Sequence, residues 1–556
     1  MSLLERVRDW LAQDPDPETR AELEAIVTAV GAGDTTAAAD LAARFSGRLE
    51  FGTAGLRAEL GAGPMRMNRV VVAQTAAGLA AYLREREEHP SIVIGYDGRK
   101  NSDVFARDTA EIMAGAGIAA ILLPRKLPTP VLAYAVRHFG VSAGVMVTAS
   151  HNPPRDNGYK VYLGGEDGGS QIVSPADAEI AARIEEAART PITEYLRAGD
   201  FAVADEAVID AYIQATAAIV SGGSAGTTTA SAGTASGLKV VYTPLHGVGL
   251  ETITRVFREA GLPELTVVEA QAQPDGDFPT VAFPNPEEPG ALDLAYAEAT
   301  AHGADLIVAN DPDADRLAVA IPAGDGWRRL SGNEIGTILG WAAAESAVAA
   351  ASPGQAPRGV LAASLVSSPA LGRIARHFGL EHAETLTGFK WISRVPGLIY
   401  GYEEALGYLV DPDKVRDKDG ISAAVRFVDL VRRWHAEGRT VNDVLAEISA
   451  AIGPSASGQV SIRVTGLSEI TRITTALRQT PPTAIAGHAV VDATDYAGGI
   501  GAFPPSDILR YTLDDGSRII VRPSGTEPKL KVYLDAASDA AIAELDAGVR
   551  ALLDAL

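Results

Sequence analysis

A chain of 556 residues, 47% apolar and 21% charged, holds enough material for three or four globular cores at roughly 150 residues each, and it is too apolar to be disordered. Lys and Arg total 48 against 71 Asp and Glu, a formal charge of −23, which argues against nucleic acid or an anionic membrane as partner and requires any anionic ligand to find a locally positive pocket. The chain has no Cys, so disulfides, thiolate nucleophiles and Cys-ligated metals are excluded.

Residues 1–20 are dense in charge and lack the apolar core of a signal peptide. No apolar run reaches the ~18 residues that cross a bilayer; residues 338–351 come nearest but contain Glu345. A cytoplasmic protein is expected. Helical periodicity then alternates with short Val/Ile-rich runs, the pattern of α/β units with largely parallel strands. Helices are predicted over 70–86, 105–116 and 129–139, and strands over 91–95, 119–123 and 143–148. The Gly/Ser/Thr/Ala tract at 221–237 reads as a linker. Beyond it, strands are expected over 238–242, 265–268 and 306–309. From about residue 455 the pattern changes to alternating strands at 459–464, 518–521 and 530–534, with helices at 467–477 and 540–556, the signature of a smaller α+β domain. Four domains follow: 1–206, 207–325, 326–454 and 455–556.

Several strand-to-loop junctions carry chemistry. Thr148-Ala149-Ser150-His151-Asn152-Pro153 places a serine among small residues directly after a buried strand, where it can act as a nucleophile, although a Ser-His pair in a loop is more often an ordinary turn. Asn310-Asp311-Pro312-Asp313-Ala314-Asp315-Arg316 offers three carboxylates at alternate positions. They can converge on a hard divalent cation; an EF-hand is excluded by Arg316 and Pro322 at its sixth and twelfth positions, no lysine stands nearby to compensate the charge, and Mg²⁺ fits best. Arg522-Pro523-Ser524-Gly525-Thr526-Glu527-Pro528, followed by Lys529 and Lys531, is a basic loop suited to phosphate in an otherwise acidic chain. Gly401-Tyr402-Glu403-Glu404-Ala405-Leu406-Gly407 presents acceptor-only carboxylates, which suit sugar hydroxyls. Phe51-Gly52-Thr53-Ala54-Gly55-Leu56-Arg57 is a further Gly-rich loop ending in a cation.

In this order the five loops resemble those of the α-D-phosphohexomutase superfamily, the phosphoglucomutases and phosphomannomutases, over nearly the whole chain. The resemblance implies four domains around a central cleft, three of them related three-layer α/β units and the last a smaller α+β domain. It also implies that a phosphoryl group passes from a phosphoserine at Ser150 to a sugar monophosphate and returns from a sugar 1,6-bisphosphate intermediate, which serves as activator. Asp311, Asp313 and Asp315 would hold Mg²⁺ with that phosphate. Arg57, His151, Lys160 and Lys418 would be the charge-stabilising and acid–base groups, a lysine base requiring a depressed pKa. Arg316, Thr387, Gly388, Lys390, Glu403 and Ala405 would bind substrate, and Arg522, Ser524, Gly525 and Thr526 its non-transferring phosphate, on a mobile last domain. Ala405 stands where many glucose- and mannose-specific members carry Ser, and the wording of this loop is similar to the branch containing phosphopentomutase-like phosphoglucomutases. The expected reaction interconverts glucose 1-phosphate and glucose 6-phosphate, with mannose or pentose phosphates, or a Mg²⁺-dependent sugar phosphatase, as alternatives. The expected partner is a small sugar phosphate, and the expected state a monomer or dimer.

Overall fold

The computed structural model describes residues 2–52, 55–221, 237–464, 466–501, 503–523 and 529–556. Residues 222–236 of the expected linker, Thr53 and Ala54 of the first Gly-rich loop, and Ser524, Gly525 and Thr526 of the basic loop lie outside this set. The chain forms two compact units, one of Met1–Leu330 with Leu406–Gly438 and one of Ser331–Ala405 with Arg439–Leu556.

The first unit opens with three helices, Leu3–Gln13, Pro17–Gly31 and Thr35–Arg44. Ser2 and Glu5 form a capping box on the first, and Asp16 and Asp34 cap the others by accepting backbone N–H bonds. Val7, Trp10, Leu23, Leu41 and Phe45 bury these helices into the core of the sheet that follows. That sheet runs in the order Leu56–Glu59, Asp156–Leu163, Ala143–Val147, Ser91–Tyr96, Ala119–Leu122, Ala202–Val203. Ala143–Val147, Ser91–Tyr96 and Ala119–Leu122 are parallel and nearly all apolar, as strands covered on both faces must be, whereas Asp156–Leu163 runs antiparallel to both its neighbours. A second sheet runs Gly326–Arg329, Ala318–Ala323, Leu306–Ala309, Val240–Thr243, Leu265–Val267. Its last three strands are parallel, while Ala318–Ala323 returns antiparallel to Leu306–Ala309. The return is direct, through the loop holding the three aspartates, so no crossover helix intervenes to make the pair parallel. The expectation of largely parallel strands therefore holds on one side of each of these two sheets and gives way to antiparallel pairing on the other.

The second unit pairs a parallel layer with an antiparallel one. Strands Glu381–Thr385 and Leu398–Glu403 flank Val360–Ser364 in parallel, backed by helices Gly332–Ala350 and Ala370–Phe378. The C-terminal sheet is antiparallel, in the order Ala456–Arg463, Lys529–Ala536, Arg518–Pro523, Leu509–Leu513, His488–Asp495, Ala484–Ile485. Period-2 alternation splits the strand Arg518–Pro523 cleanly. Ile519 and Val521 join Ile470, Leu477, Leu545 and Val549 of the two helices on one face. Ile520 faces the other way, with Tyr533, onto Leu365 and Val366 of the turn after Val360–Ser364. The last domain thus shares a buried apolar cluster with the third. Among the described residues no helix is long and apolar enough to cross a membrane.

Candidate active site

The serine loop leaves the carboxyl end of Ala143–Val147, beside the loop that leaves Ser91–Tyr96, where open α/β sheets present their ligand-binding loops. Ser150 is buried and takes φ +52°, the left-handed region that few non-glycine residues enter. Arg99 holds it there. Its guanidinium donates to the carbonyls of Ser150 and Asn152 at 2.6 Å each, of Pro153 at 2.9 Å and of Asp156 at 3.0 Å. Asp97 accepts from Thr148 at 2.6 Å and from Ser102 at 2.7 Å, and Thr148 in turn accepts the Ser150 N–H. The Ser150 hydroxyl donates to Asp311 at 2.6 Å and lies 3.2 Å from His151 Nδ1, so the neighbouring Ser and His are within hydrogen-bond distance here. Burial, with Arg316 and Arg57 nearby, holds the His151 pKa well below its usual value, and the imidazole is neutral. Arg57 donates to the Asn152 side chain at 3.1 Å.

Asp311, Asp313 and Asp315 are all fully buried, and one oxygen from each lies within 4.8 Å of the others. Ala314 at φ +56° turns the backbone so that alternate side chains converge. The loop is pinned from neighbouring elements: Thr129 N–H donates to the Asp313 carbonyl at 2.9 Å, and Val248 N–H to the Pro312 carbonyl at 2.9 Å. Gly247 permits this approach, since a Cβ there would sit 2.4 Å from Pro312 Cα.

The charge on the loop is compensated by lysines that are distant in sequence, contrary to the expectation that none stood nearby. Lys160 Nζ donates to Asp313 Oδ2 at 2.7 Å and Asp315 Oδ2 at 2.8 Å, and Lys418 Nζ lies 2.9 Å from Asp315 Oδ2. Lys418 is itself placed by Asp417, which accepts from Tyr162 at 2.8 Å and Gln171 at 2.7 Å. Burial opposes the charge on Lys160, but Asp313 and Asp315 outweigh it and raise its pKa. Burial likewise opposes Lys418, and Asp315 and Asp417 raise it. Neither lysine has the depressed pKa expected of a base, because each is paired with carboxylates. Despite burial, Asp315 is driven far down by Lys160, Lys418 and Arg316. Asp311 moves the other way: burial, then Asp313 and Asp315, raise it well above the usual carboxylate range.

Asp313 and Asp315 direct their Oδ2 atoms at Lys160, while their buried Oδ1 atoms have no hydrogen-bond partner among the described residues. Three buried carboxylates, two of them with an orphaned oxygen and the third pushed above the usual carboxylate range by burial and then by its neighbours, suit a hard dication coordinated by oxygen.

In the second unit Glu403 ends the strand Leu398–Glu403, and its Oε1 accepts the Gly388 N–H at 2.5 Å, so Gly388 and Glu403 are brought together; Thr387 and Lys390 flank Gly388 in the same loop. Glu404 accepts from Ser364 at 3.1 Å and Ser367 at 2.9 Å. Gly332 makes room for the loop, since a Cβ there would fall 1.8 Å from the Glu404 carbonyl oxygen. Ala405 follows directly and closes this segment of the unit. Arg522 lies near the end of Arg518–Pro523, opposite Lys531. Sequence reasoning missed Arg99, Thr129 and Tyr162. Arg99 alone left a trace, as a cation just beyond a buried strand in Tyr96-Asp97-Gly98-Arg99.

The chain matches all four domains of the phosphoglucomutase/phosphomannomutase family: alpha/beta/alpha domain I over 48–190, domain II over 210–324, domain III over 331–451 and the C-terminal domain over 469–552. It belongs to that family. It is therefore an enzyme, a phosphotransferase of the isomerase class. It is 55% identical to a "Probable phosphomannomutase" of Haemophilus influenzae, over 88% of this chain and 98% of that one. A "Probable phosphoribomutase" of Schizosaccharomyces pombe is 36% identical over 96% and 93% of the two chains. A "Phosphoglucomutase" of Staphylococcus haemolyticus is 34% identical over 88% and 90%. Among solved structures, a phosphoglucomutase/phosphomannomutase family protein from Burkholderia thailandensis shares the fold at a TM-score of 0.68 and 22% identity, covering 91% of this chain and 97% of that one.

Proposed function

We propose that this member of the family interconverts the 1- and 6-phosphates of a hexose, with glucose as the sugar, through a phosphoserine at Ser150 and a sugar 1,6-bisphosphate. The observation that carries the reading is the Ser150 hydroxyl 2.6 Å from the first of three fully buried carboxylates. A serine so placed exchanges its phosphoryl group beside a site built for a dication. Asp311, Asp313 and Asp315 would hold Mg²⁺, which when bound neutralises phosphoryl oxygens during transfer. Lys160 and Lys418 keep their protons and serve as cations toward the same oxygens rather than as bases. Ser150 Oγ gains a proton when its phosphate leaves and gives one up when it is rephosphorylated. His151 Nδ1, neutral and 3.2 Å away, is within reach of that proton. Arg57 and Arg316 add positive potential. Glu403 accepts from sugar hydroxyls, with Thr387, Gly388, Lys390 and Ala405 in the adjoining loops, and Arg522, with Ser524, Gly525 and Thr526, takes the phosphate that does not move. We assign the enzyme to the cytoplasm.

A mannose substrate is favoured by the name of the relative at 55% identity, and a pentose by Ala405 in the sugar loop. The deciding experiment is kcat/KM for glucose, mannose and ribose 1-phosphates, each primed with its own bisphosphate. Glucose 1-phosphate should be the best substrate, and a trace of glucose 1,6-bisphosphate should activate. Stoichiometric release of inorganic phosphate without isomer formation would make the protein a phosphatase instead.

A further inference from the structure

Thr129 is fully buried and begins the helix Thr129–Phe139, between Pro128 and Pro130. Pro128 gives this helix no side-chain cap, so its first backbone N–H groups need acceptors from elsewhere. Thr129 finds one 184 positions along the chain: its N–H donates to the Asp313 carbonyl at 2.9 Å. Its hydroxyl donates to Oδ2 of the same aspartate at 2.6 Å. One residue therefore grips Asp313 at two points, main chain and side chain.

Asp313 Oδ2 also accepts from Lys160 Nζ at 2.7 Å, so two donors on separate elements, a helix and the strand Asp156–Leu163, hold one oxygen. Asp313 Oδ1 is left buried, with no hydrogen-bond partner among the described residues. The two donors act differently toward a cation. Lys160 is charged, divides its bonds between Asp313 and Asp315, and repels a dication while it holds the carboxylates. The Thr129 hydroxyl is neutral, so it orients the carboxylate without opposing the ion. Asp311 is set differently, by the Arg316 N–H at 3.0 Å on Oδ1 and the Ser150 hydroxyl at 2.6 Å on Oδ2.

We propose that Thr129 is a positioning residue of the metal site: its hydroxyl fixes the Asp313 carboxylate so that Oδ1 is left for Mg²⁺, and the affinity for the ion depends on that hydroxyl. The proposal rests on the reading of the three aspartates as the Mg²⁺ site of a mutase. A carboxylate held at one oxygen keeps the other in a single orientation, and loss of such an outer hydrogen bond weakens metal binding by about ten- to a hundredfold. Thr129 thus acts through Asp313, with no contact of its own to the ion required.

The test compares wild type with Thr129→Val, Thr129→Ser and Asp313→Ala. Each protein is stripped with a chelator, its melting temperature is followed as magnesium chloride is added, and turnover of glucose 1-phosphate is measured over the same Mg²⁺ range. Thr129→Val keeps the branched shape and the backbone bond to Asp313 but deletes the hydroxyl. It should need about tenfold more Mg²⁺ for half of its stabilisation, and its activity should move along the Mg²⁺ axis by the same factor. Thr129→Ser restores the hydroxyl and should return to within about threefold of wild type. If Thr129→Val does not fold, Thr129→Ala deletes the same hydroxyl and is read in the same way. An unmoved Mg²⁺ midpoint overturns the proposal, whatever happens to kcat or to the metal-free melting temperature, since those losses alone are merely structural. A Thr129→Ser midpoint displaced as far as that of Thr129→Val overturns it too. A wild type that Mg²⁺ stabilises but that does not isomerise glucose 1-phosphate fails the mutase reading alone, and the midpoints still decide for or against Thr129. A wild type stabilised no more than Asp313→Ala takes the metal out of this loop and overturns the proposal, active or not.

Discussion

Ser150 combines a strained backbone with four carbonyl contacts from Arg99 to the loop around it, and the strain persists because the surroundings over-determine it. Ser150→Ala should lower kcat by about 10⁴-fold or more, as loss of a covalent nucleophile does, while calorimetric binding of glucose 6-phosphate survives. Parallel loss of binding would mean that the serine serves the fold instead. The motif letters mark this residue because a nucleophile needs a small-residue turn at a strand end. Arg99 is not marked as its clamp, because its partners are backbone carbonyls, and carbonyls have no signature in a sequence. The lysines partnering the aspartates are hidden for a related reason: Lys160 and Lys418 stand 153 and 103 positions from Asp313 and Asp315, respectively, and only folding makes them neighbours.

Among the elements, periodicity finds helix Thr129–Phe139 and strand Leu306–Ala309 at the bounds the structure gives, because each has one apolar pattern and a clear stop. The three N-terminal helices were not resolved from the sequence, since a high density of charge conceals the few residues that anchor them. Trp10 is 5% exposed and stacks edge-on to Phe45 at 6.1 Å between ring centroids. Trp10→Ala should cost about 3–5 kcal/mol of stability by chemical denaturation, the usual penalty for emptying a buried aromatic site. The turn between Val240–Thr243 and the next helix carries a pH response. His246, buried beside Thr280 at 2.8 Å, has its pKa lowered by burial. Below about pH 6.5 the unfolded chain then binds more protons than the folded one, so stability falls as the pH drops from there toward the folded pKa. His246→Asn, which tolerates the residue's φ of +59°, should flatten that dependence in melting curves taken between about pH 5 and 7.

For the whole molecule, three buried aspartates in one loop of the first unit are only partly offset by Lys160 and Lys418, and Asp313 Oδ1 and Asp315 Oδ1 keep no hydrogen-bond partner among the described residues. Bound Mg²⁺ should therefore stabilise the protein measurably, by about 2.7 kcal/mol at a concentration one hundred times its Kd. Chelation should lower the melting temperature of wild type and leave Asp313→Ala unmoved. A shift of equal size in both proteins would place the metal elsewhere. The path of the chain gives this unit its two lysines: residues 406–438 return to it after the sugar loop, bringing Lys418 to the acidic site, while Arg439 onward rejoins the second unit.

What the sequence determined by itself was local. It supplied the five loops, their order, the strands they leave and the residue types each chemistry requires, because a strand end, a glycine turn and an alternating acid triplet are written in consecutive letters. Tertiary structure decided what those letters meet: which lysines neutralise the aspartates, which arginine holds the serine loop, and that the last two domains share one apolar cluster. Those pairings join positions far apart in the chain, such as Lys160 with Asp313 and Leu365 with Tyr533, and their energies come from burial, which no window of sequence contains.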